Sequence, residues 1–470
     1  MELGRASIGT PRPNRSAFPL QKPGQKRVTS ALSRAAQTRP FERRAQSRTS
    51  GNHRVRLKVS ATGPMLSKLS RKALPGQLSV GVLGGGIGGL AAALALLRDG
   101  HDVRCFEQAA EFREVGAGVQ IMPNASRLLL RMGLAEPMFK VGVRPPSVEF
   151  RRWKDGSLIA SAPLGESSER RYGAPHFSIH RADLHQLLLS AVAALSSSAV
   201  RLAMRCTGIT QGMDDVTVRF ENGRQETMDV LIGADGIRST ARRMIAADEP
   251  RFGNMLAVRG VVPATRLPDW PAPIVLWPGP GRSVLAYRIG EGGSHLNFVG
   301  LIPSTVEAAE SWTNRREPDE ILRAFDGWDP TIQTILREAE SVLVWPLYDR
   351  APLESWGIGR VSLLGDAAHP MVPYGGQGAA QAIEDAYVLG RCLRGATRED
   401  AGGRLRSYEA IRMRRAAAVQ ASSTGRGGEL HLPDGPEQEA RDAAMVKPSG
   451  SDPNAWLYGY DAEKDGPWNE

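Results

Sequence analysis

Apolar residues in this chain come in short runs broken by glycine, and the first run sets the pattern. Residues 78–83 (LSVGVL) are mostly apolar, residues 84–89 read Gly-Gly-Gly-Ile-Gly-Gly, and residues 90–97 are Ala and Leu. After Gly100 a second such run, 102–106, closes on Glu107. A short run bounded by glycines predicts a buried strand and the Ala/Leu run a helix, giving strand, tight turn, helix, strand. Farther on, 126–132 has a helical pattern, and 146–161 alternates (Val148, Phe150, then Leu158, Ile159 across Asp155-Gly156) as a hairpin does. A helix begins at Ser178-Ile-His-Arg, with Asp183 in its first turn and Leu184, Leu187 and Leu188 on one face. Strands are predicted at 200–206, 216–220 and 228–234. Alternation then recurs at 257–262, 274–277, 283–287, 295–301 and 341–347, a sheet-rich insert with one helix near 319–325. Residues 360–364 return to a buried strand ending near Asp366. A glycine-rich loop from Tyr374 opens a helix through Leu393, and another helix covers about 403–421.

The spacing Gly84-x-Gly86-x-x-Gly89 suits a strand-to-helix turn around a pyrophosphate. Gly84 turns the chain, Gly86 lets backbone approach the ligand and Gly89 lets helix and strand pack closely. The helix points unpaired N–H groups and its positive dipole end at the phosphates. Glu107, at the end of the second strand, is placed to accept two ribose hydroxyls. Asp235-Gly236 and Gly365-Asp366 likewise put small residues and an acid just past a strand's carboxyl end, where ligands sit in open α/β sheets.

Composition changes this picture mainly at the N-terminus. The chain of 470 residues carries a net charge of +10, but residues 1–72 hold 17 Lys/Arg against Glu2 and Glu42 alone. The remainder, with 43 Lys/Arg against 48 acids, is slightly acidic, which argues against a nucleic-acid role for the body. Residues 1–76, rich in Arg, Ser, Pro and Gln, predict a disordered extension. It reads as an organellar transit segment, as sequence ahead of a true start at Met65, or as a basic arm on a nucleic-acid binder. Cys105, Cys206 and Cys392 are widely spaced and form neither a disulfide framework nor a metal motif, so no metal is expected and a reducing compartment fits best. The uncharged run 78–97 has the length of a membrane span, but its glycines favour strand, turn and buried helix over a transmembrane helix.

Three motifs occur in a telling order: Gly84-x-Gly86-x-x-Gly89, Gly233-Ala-Asp-Gly-Ile-Arg-Ser239 and Gly365-Asp-Ala-Ala-His-Pro370. With them the chain resembles the single-component FAD-dependent aromatic hydroxylases (group A flavoprotein monooxygenases), the group that includes salicylate hydroxylase and 3-hydroxybenzoate 6-hydroxylase. The resemblance covers about residues 78–460, and the closing Trp456-Leu-Tyr-Gly-Tyr-Asp461 is similar to tails of the salicylate hydroxylase group. It implies an α/β fold: a discontinuous Rossmann-like FAD-binding domain (77–145, 176–250 and 351–425) and a β-sheet substrate domain (251–350, with the hairpin 146–175). The extension 1–76 and a tail 426–470 complete the chain. It further implies that Gly84, Gly86 and Gly89 lie under the FAD pyrophosphate and Glu107 on the adenosine ribose. Gly116 and Ala117 would be near the flavin, and Arg181 near the phosphates. Asp235 and Gly236 would belong to a motif serving both FAD and NAD(P)H, Asp366 would meet the ribityl chain, and Gly378, Ala379 and Ala380 would lie under the isoalloxazine ring.

The implied activity is hydroxylation of a small aromatic, a hydroxybenzoate, salicylate-like or N-heteroaromatic acid, by an NAD(P)H- and FAD-dependent monooxygenase using O2 and a flavin C4a-hydroperoxide. Oxygen insertion into a non-aromatic substrate, as by a flavin-dependent epoxidase, is the alternative. A non-catalytic flavin-binding partner is a rival of another class. The chain is expected to be cytoplasmic (organellar if 1–64 is a transit segment), a monomer or homodimer, and bound to neither membrane nor nucleic acid. In salicylate hydroxylases the residue after the loop proline is commonly His. Here Tyr374 follows Pro373, as in 3-hydroxybenzoate 6-hydroxylases, which weighs against salicylate. Tyr374 and Gln120, whose position faces the flavin pocket in relatives, are the candidate catalytic residues. Arg259, Tyr287 and His295 lie in the insert, where each can meet a carboxylate or simply pack. His369 is read as structural, and His176, His180 and His185 as surface or capping residues. Trp270, Trp277 and Trp345 are expected in the insert's core.

Overall fold

The strand Ser79–Leu83 lies inside a six-stranded sheet, paired in parallel with Asp102–Phe106 on one side and Val230–Gly233 on the other. Val361–Leu363 continues the parallel pairing and Gly357–Ile358 closes that edge. These strands are short and apolar on both faces, as a sheet covered by helices requires. This computed structural model describes residues 77–112, 117–305, 318–340, 342–446, 452–466 and 468. The chain divides into the units Met1–Leu69 and Ser70–Glu470. The predicted extension 1–76 lies outside the described residues.

The helix Ile87–Arg98 packs against Gly378–Leu393, and small residues make that approach possible. A Cβ on Gly88 would come within 3.1 Å of Ala382, and one on Gly390 within 3.0 Å of Ala95. Cys105 is fully buried in the adjoining strand, its thiol donating to the carbonyl of Gly84 at 3.4 Å. No helix among the described residues is long and apolar enough to cross a membrane.

A second sheet of seven strands runs in the order Val342–Asp349, Arg251–Pro263, His295–Pro303, Arg282–Ile289, Ile274–Gly279, Ser147–Arg151, Leu158–Pro163. The predicted hairpin therefore joins the insert, with Ser147–Arg151 running parallel to Ile274–Gly279. Side chains alternate across the sheet. Val258, Trp277, Phe298 and Val344 form one core with Phe325, Ile332 and Ile335 of the helical segment 318–338. Ala257, Leu301, Leu347 and Trp345 gather in a separate cluster with Tyr374. Trp277 fills the core as expected, its indole N–H donating to Asp329 at 2.8 Å, and Trp270 packs beside it. Trp345 does not: one residue past Val344, it faces the opposite way, toward Tyr374.

Most predicted elements recur with shifted ends. The 200–206 run splits into Val200–Arg201 and Cys206–Gln211, and the last long helix extends over Ala401–Leu430 despite Gly425, Gly427 and Gly428. Gly165–Tyr172 is a helix the sequence hid, because its one buried residue is Ser168 and no apolar stripe marks it.

Candidate active site

Two of the three turn glycines are demanded by the protein itself. Gly84 has φ +99°, and a Cβ there would strike the Ala234 carbonyl; a Cβ on Gly89 would fall on the carbonyl oxygen of Gly84. Gly86 differs, with nothing among the described residues within 4 Å of its Cβ position, so its missing side chain leaves open approach at the helix N-terminus. No side chain caps that terminus. The Glu107 carboxylate accepts from Gly85 N and Ala109 N, each at 2.8 Å. It borders a cleft of about 640 Å³ lined also by Gly86, Phe112, His185 and Arg205.

Of the three histidines expected at the surface or in caps, His180 is a cap, its Nδ1 accepting from Ala182 N at 3.3 Å. The other two are buried. His185 donates to the Gly85 carbonyl at 2.7 Å and meets Phe112 edge-on, fixing the glycine loop from beneath. His176 is sealed with no partner on either ring nitrogen, and burial pushes its pKa down to about 4.

Asp235 turns inward. Its carboxylate accepts from Ser239 Oγ (2.5 Å), Thr240 N (2.7 Å) and Ala241 N (3.2 Å), closing the loop in which Gly236 adopts φ +77°. Burial raises its pKa, against the pull of those donors. Arg242, nearly fully buried, pairs with Asp248 at 2.8 Å and donates to the carbonyls of Ala367 and Ala368 at 2.9 and 3.0 Å. Arg350 joins Asp248 to the Ile237 carbonyl. The Asp235 and Asp366 loops are thus tied together by arginines the sequence did not single out.

Asp366 sits deep in the protein, yet its carboxylate is accessible, as for a side chain lining a cleft. A Cβ on Gly378 would lie 3.8 Å from its Oδ1, so the carboxylate stands beside the first turn of Gly378–Leu393, where positive dipole favours an anion. Burial pushes its pKa up, while His369 and Arg181 pull it down. Arg181 opens the helix Arg181–Leu195 and donates its backbone N–H to Ala117 at 2.8 Å. Gly84, Glu107 and Asp366 thus lie at the carboxyl edge of one sheet, and Arg181, which follows the strand Phe177–His180 of a separate two-stranded sheet, is near enough to act on Asp366. Gly116 lies outside the described residues. Gln120 is half-buried in Gly118–Ile121, opposite Ser178. Gly118 N donates to Asn297 Oδ1 at 2.6 Å, joining that strand to the seven-stranded sheet.

Beneath the Asp366 loop lies a buried charge network. Asp385 accepts from Gly365 N (2.9 Å), His369 Nε2 (2.6 Å) and Arg412 Nε (2.7 Å). Arg412 also pairs with Glu384 at 2.6 Å, and Glu384 takes Arg415 and Asn124. His369 is structural here, as read from the sequence. Glu384 and Asp385 stand amid alanines on a mostly apolar helix, the one hint that these acids face inward.

Tyr374 rests between the sheet cluster and the C-terminal end of Ala401–Leu430. Its ring meets His431 edge-on at 5.2 Å, and His431 Nε2 bonds Ser283 Oγ at 3.1 Å. A Cβ on Gly427 would come within 2.6 Å of the Tyr374 ring. Gly427→Ala is therefore expected to push Tyr374 out of place and weaken aromatic-ligand affinity severalfold. Flavin content should be unchanged, as measured by ligand titration and flavin absorbance on the same sample.

A parallel sheet with a glycine turn, an acid after the next strand and a second acid at a helix N-terminus defines a dinucleotide-binding flavoprotein fold. The sequence pattern of the FAD binding domain family matches residues 77–423, and the chain belongs to that family. It is 44% identical over 385 residues to 3-amino-4-hydroxybenzoate 2-monooxygenase of Streptomyces platensis, covering 82% of this chain and 96% of that one. The 6-hydroxynicotinate 3-monooxygenase of Pseudomonas fluorescens is 36% identical over 348 residues (73% and 89% covered). The 3-hydroxybenzoate 6-hydroxylase of Klebsiella oxytoca is 34% identical over 386 residues (81% and 96% covered). Among solved structures, a salicylate hydroxylase substrate complex superposes with a TM-score of 0.70 at 28% identity, covering 83% of this chain and 97% of that one.

Proposed function

We propose that this chain is a FAD- and NAD(P)H-dependent monooxygenase that hydroxylates a small aromatic acid, hydroxybenzoate-like or N-heteroaromatic. The observation that carries the reading is the placement of Tyr374. It joins the loop entering the helix beside Asp366 to an apolar face of the seven-stranded sheet, made by Ala257, Leu301, Trp345 and Leu347. Relatives named for aminohydroxybenzoate, hydroxynicotinate and hydroxybenzoate support the substrate class.

The residues fit FAD. Gly84, Gly86 and Gly89 would pass beneath its pyrophosphate, Glu107 would take the ribose, and Arg181 and Asp366 would hold its middle. Ala117, with Gly378, Ala379 and Ala380, would leave room for the ring, while Asp235 and Gly236 act by shaping the turn against Gly84. Bound there, FAD supplies the transfer of reducing equivalents from NAD(P)H to O2. The protein's own part is to seat the substrate ring against the apolar face, keep water from it and orient its hydroxyl. Tyr374 suits the last task. Its hydroxyl makes no hydrogen bond among the described residues, and burial raises its pKa, so at neutral pH it stays protonated, able to donate or accept a hydrogen bond. Gln120 would face the same space from Gly118–Ile121.

Asp366→Ala is expected to fold normally but retain less FAD through purification; unchanged flavin content would contradict its role. The function is tested by following NADH and NADPH oxidation with a panel of hydroxybenzoates and hydroxynicotinates, with product identification. Stimulation by at least one aromatic acid, with a ring-hydroxylated product, is expected. Stimulation by alkenes alone would move the assignment to oxygen insertion on a non-aromatic substrate.

A further inference from the structure

Arg259 is the anomaly of the seven-stranded sheet. It stands on an interior strand, opposite Val299 on one neighbour and Leu343 on the other. By alternation it faces the same way as Ala257, which packs in the Tyr374 cluster. Its Nε is sealed from solvent and finds no acceptor, and no carboxylate pairs with its guanidinium among the described residues. The contrast with the protein's other deeply placed arginines is sharp. Arg242 and Arg350 share Asp248, and Arg412 bridges Glu384 and Asp385. Burial lowers the pKa of Arg259; Tyr287 opposes this and Arg181 adds to it. The guanidinium is half-buried with its Nε sealed, and a charge drawn from water without a counter-charge is unfavourable, so its natural complement is an anion brought in from outside.

The surroundings say what kind of anion. Two residues along a strand are about 7 Å apart, so Arg259 stands from Ala257 of the Tyr374 cluster at a distance on the order of the length of one substituted aromatic ring. The residues on that face are Val299, Leu301 and Trp345, which suits a flat apolar body with one charged end, and Arg181, near enough to act on Arg259, adds to the pull on an anion. The guanidinium fork matches a carboxylate in two parallel hydrogen bonds. We infer that Arg259 is the carboxylate anchor of the substrate site, holding an aromatic acid by one end while its hydroxyl reaches toward Tyr374. The inference rests on the aromatic-acid reading above and assigns its specificity to one residue.

The test uses purified holoenzyme and two probes, 3-amino-4-hydroxybenzoate and its primary amide, titrated by perturbation of the flavin absorbance. Wild type is expected to prefer the acid by roughly 100-fold or more. Arg259→Gln should lose most of that preference by weakening the acid roughly 100-fold while leaving the amide within about threefold. Its flavin content should not change, and Arg259→Lys should recover part of the acid affinity. Equal binding of acid and amide by wild type, equal weakening of both in Arg259→Gln, or loss of flavin in that variant would overturn the anchor alone. A wild type that binds neither probe would overturn the aromatic-acid reading and the anchor with it.

Discussion

Gly89→Ala is expected to yield a protein that is poorly folded and free of flavin. A methyl group at that position falls on the carbonyl oxygen of Gly84, a backbone atom fixed in the turn between the first strand and its helix. Neither side can move without opening the sheet at its centre, because Gly84 is itself confined by Ala234 on the neighbouring strand. The penalty, about 3 kcal/mol by analogy with overpacked cores, exceeds the roughly 1 kcal/mol that alanine gains over glycine within a helix. Gly86→Ala is the informative partner. Nothing among the described residues lies within 4 Å of its methyl position, so that variant should fold with an unchanged melting temperature and yet bind FAD weakly. Circular dichroism and flavin absorbance together separate the two. Equal flavin loading of Gly86→Ala and wild type would mean that no pyrophosphate passes there.

Arg412→Met should be the most destabilising single change outside the turn. It removes the guanidinium shared by Glu384 and Asp385, leaving Arg415 to the first and His369 to the second, and removing one partner of a buried ion network costs about 3–5 kcal/mol. Whole-domain stabilities are on the order of 5–15 kcal/mol, so a large drop in melting temperature is expected. The same network sets an acid limit. Burial works against the charge on Asp385, but His369 and Arg412 overcome it and hold the carboxyl down at about 2, below its ordinary 3.8. A depressed acid contributes stability above its unfolded value and loses it as pH falls through its folded value. Asp385 is therefore worth about 2 kcal/mol at neutral pH, lost between about pH 4 and pH 2. Asp385→Asn should remove this part of the acid dependence, read as melting temperature against pH. Because Asp385 also accepts from Gly365 N, both variants should release FAD more readily, though neither residue is expected to touch it.

The dinucleotide turn was legible because its causes are local: glycines where a side chain cannot fit, an apolar helix behind them and an acid one strand later. The insert was legible as a sheet because alternation survives in every strand. Its edge was not. The hairpin Ser147–Arg151/Leu158–Pro163 lies more than a hundred residues from the strand it joins, and no short-range pattern carries that pairing. Trp345 was misplaced for a related reason: alternation says that neighbours face opposite ways, but not which face meets Tyr374. The buried charges were the larger omission. Arg242, Glu384, Asp385 and Arg412 have the composition of a solvated surface, and only their partners, contributed by distant segments, make them interior residues. Arg259 reads in the sequence as able to meet a carboxylate or simply pack; what the sequence does not carry is its lack of a partner among the described residues.

The central claim is that this chain places an oxygen atom from O2 on an aromatic acid at the expense of NAD(P)H. Turnover of an aromatic acid that stimulates NAD(P)H oxidation, under isotopically labelled O2 and followed by mass spectrometry, tests it most directly. The account predicts a ring-hydroxylated product carrying labelled oxygen, formed in near equivalence to the NAD(P)H consumed. Unlabelled product, or NAD(P)H oxidation that yields only hydrogen peroxide with every aromatic acid tried, would contradict it.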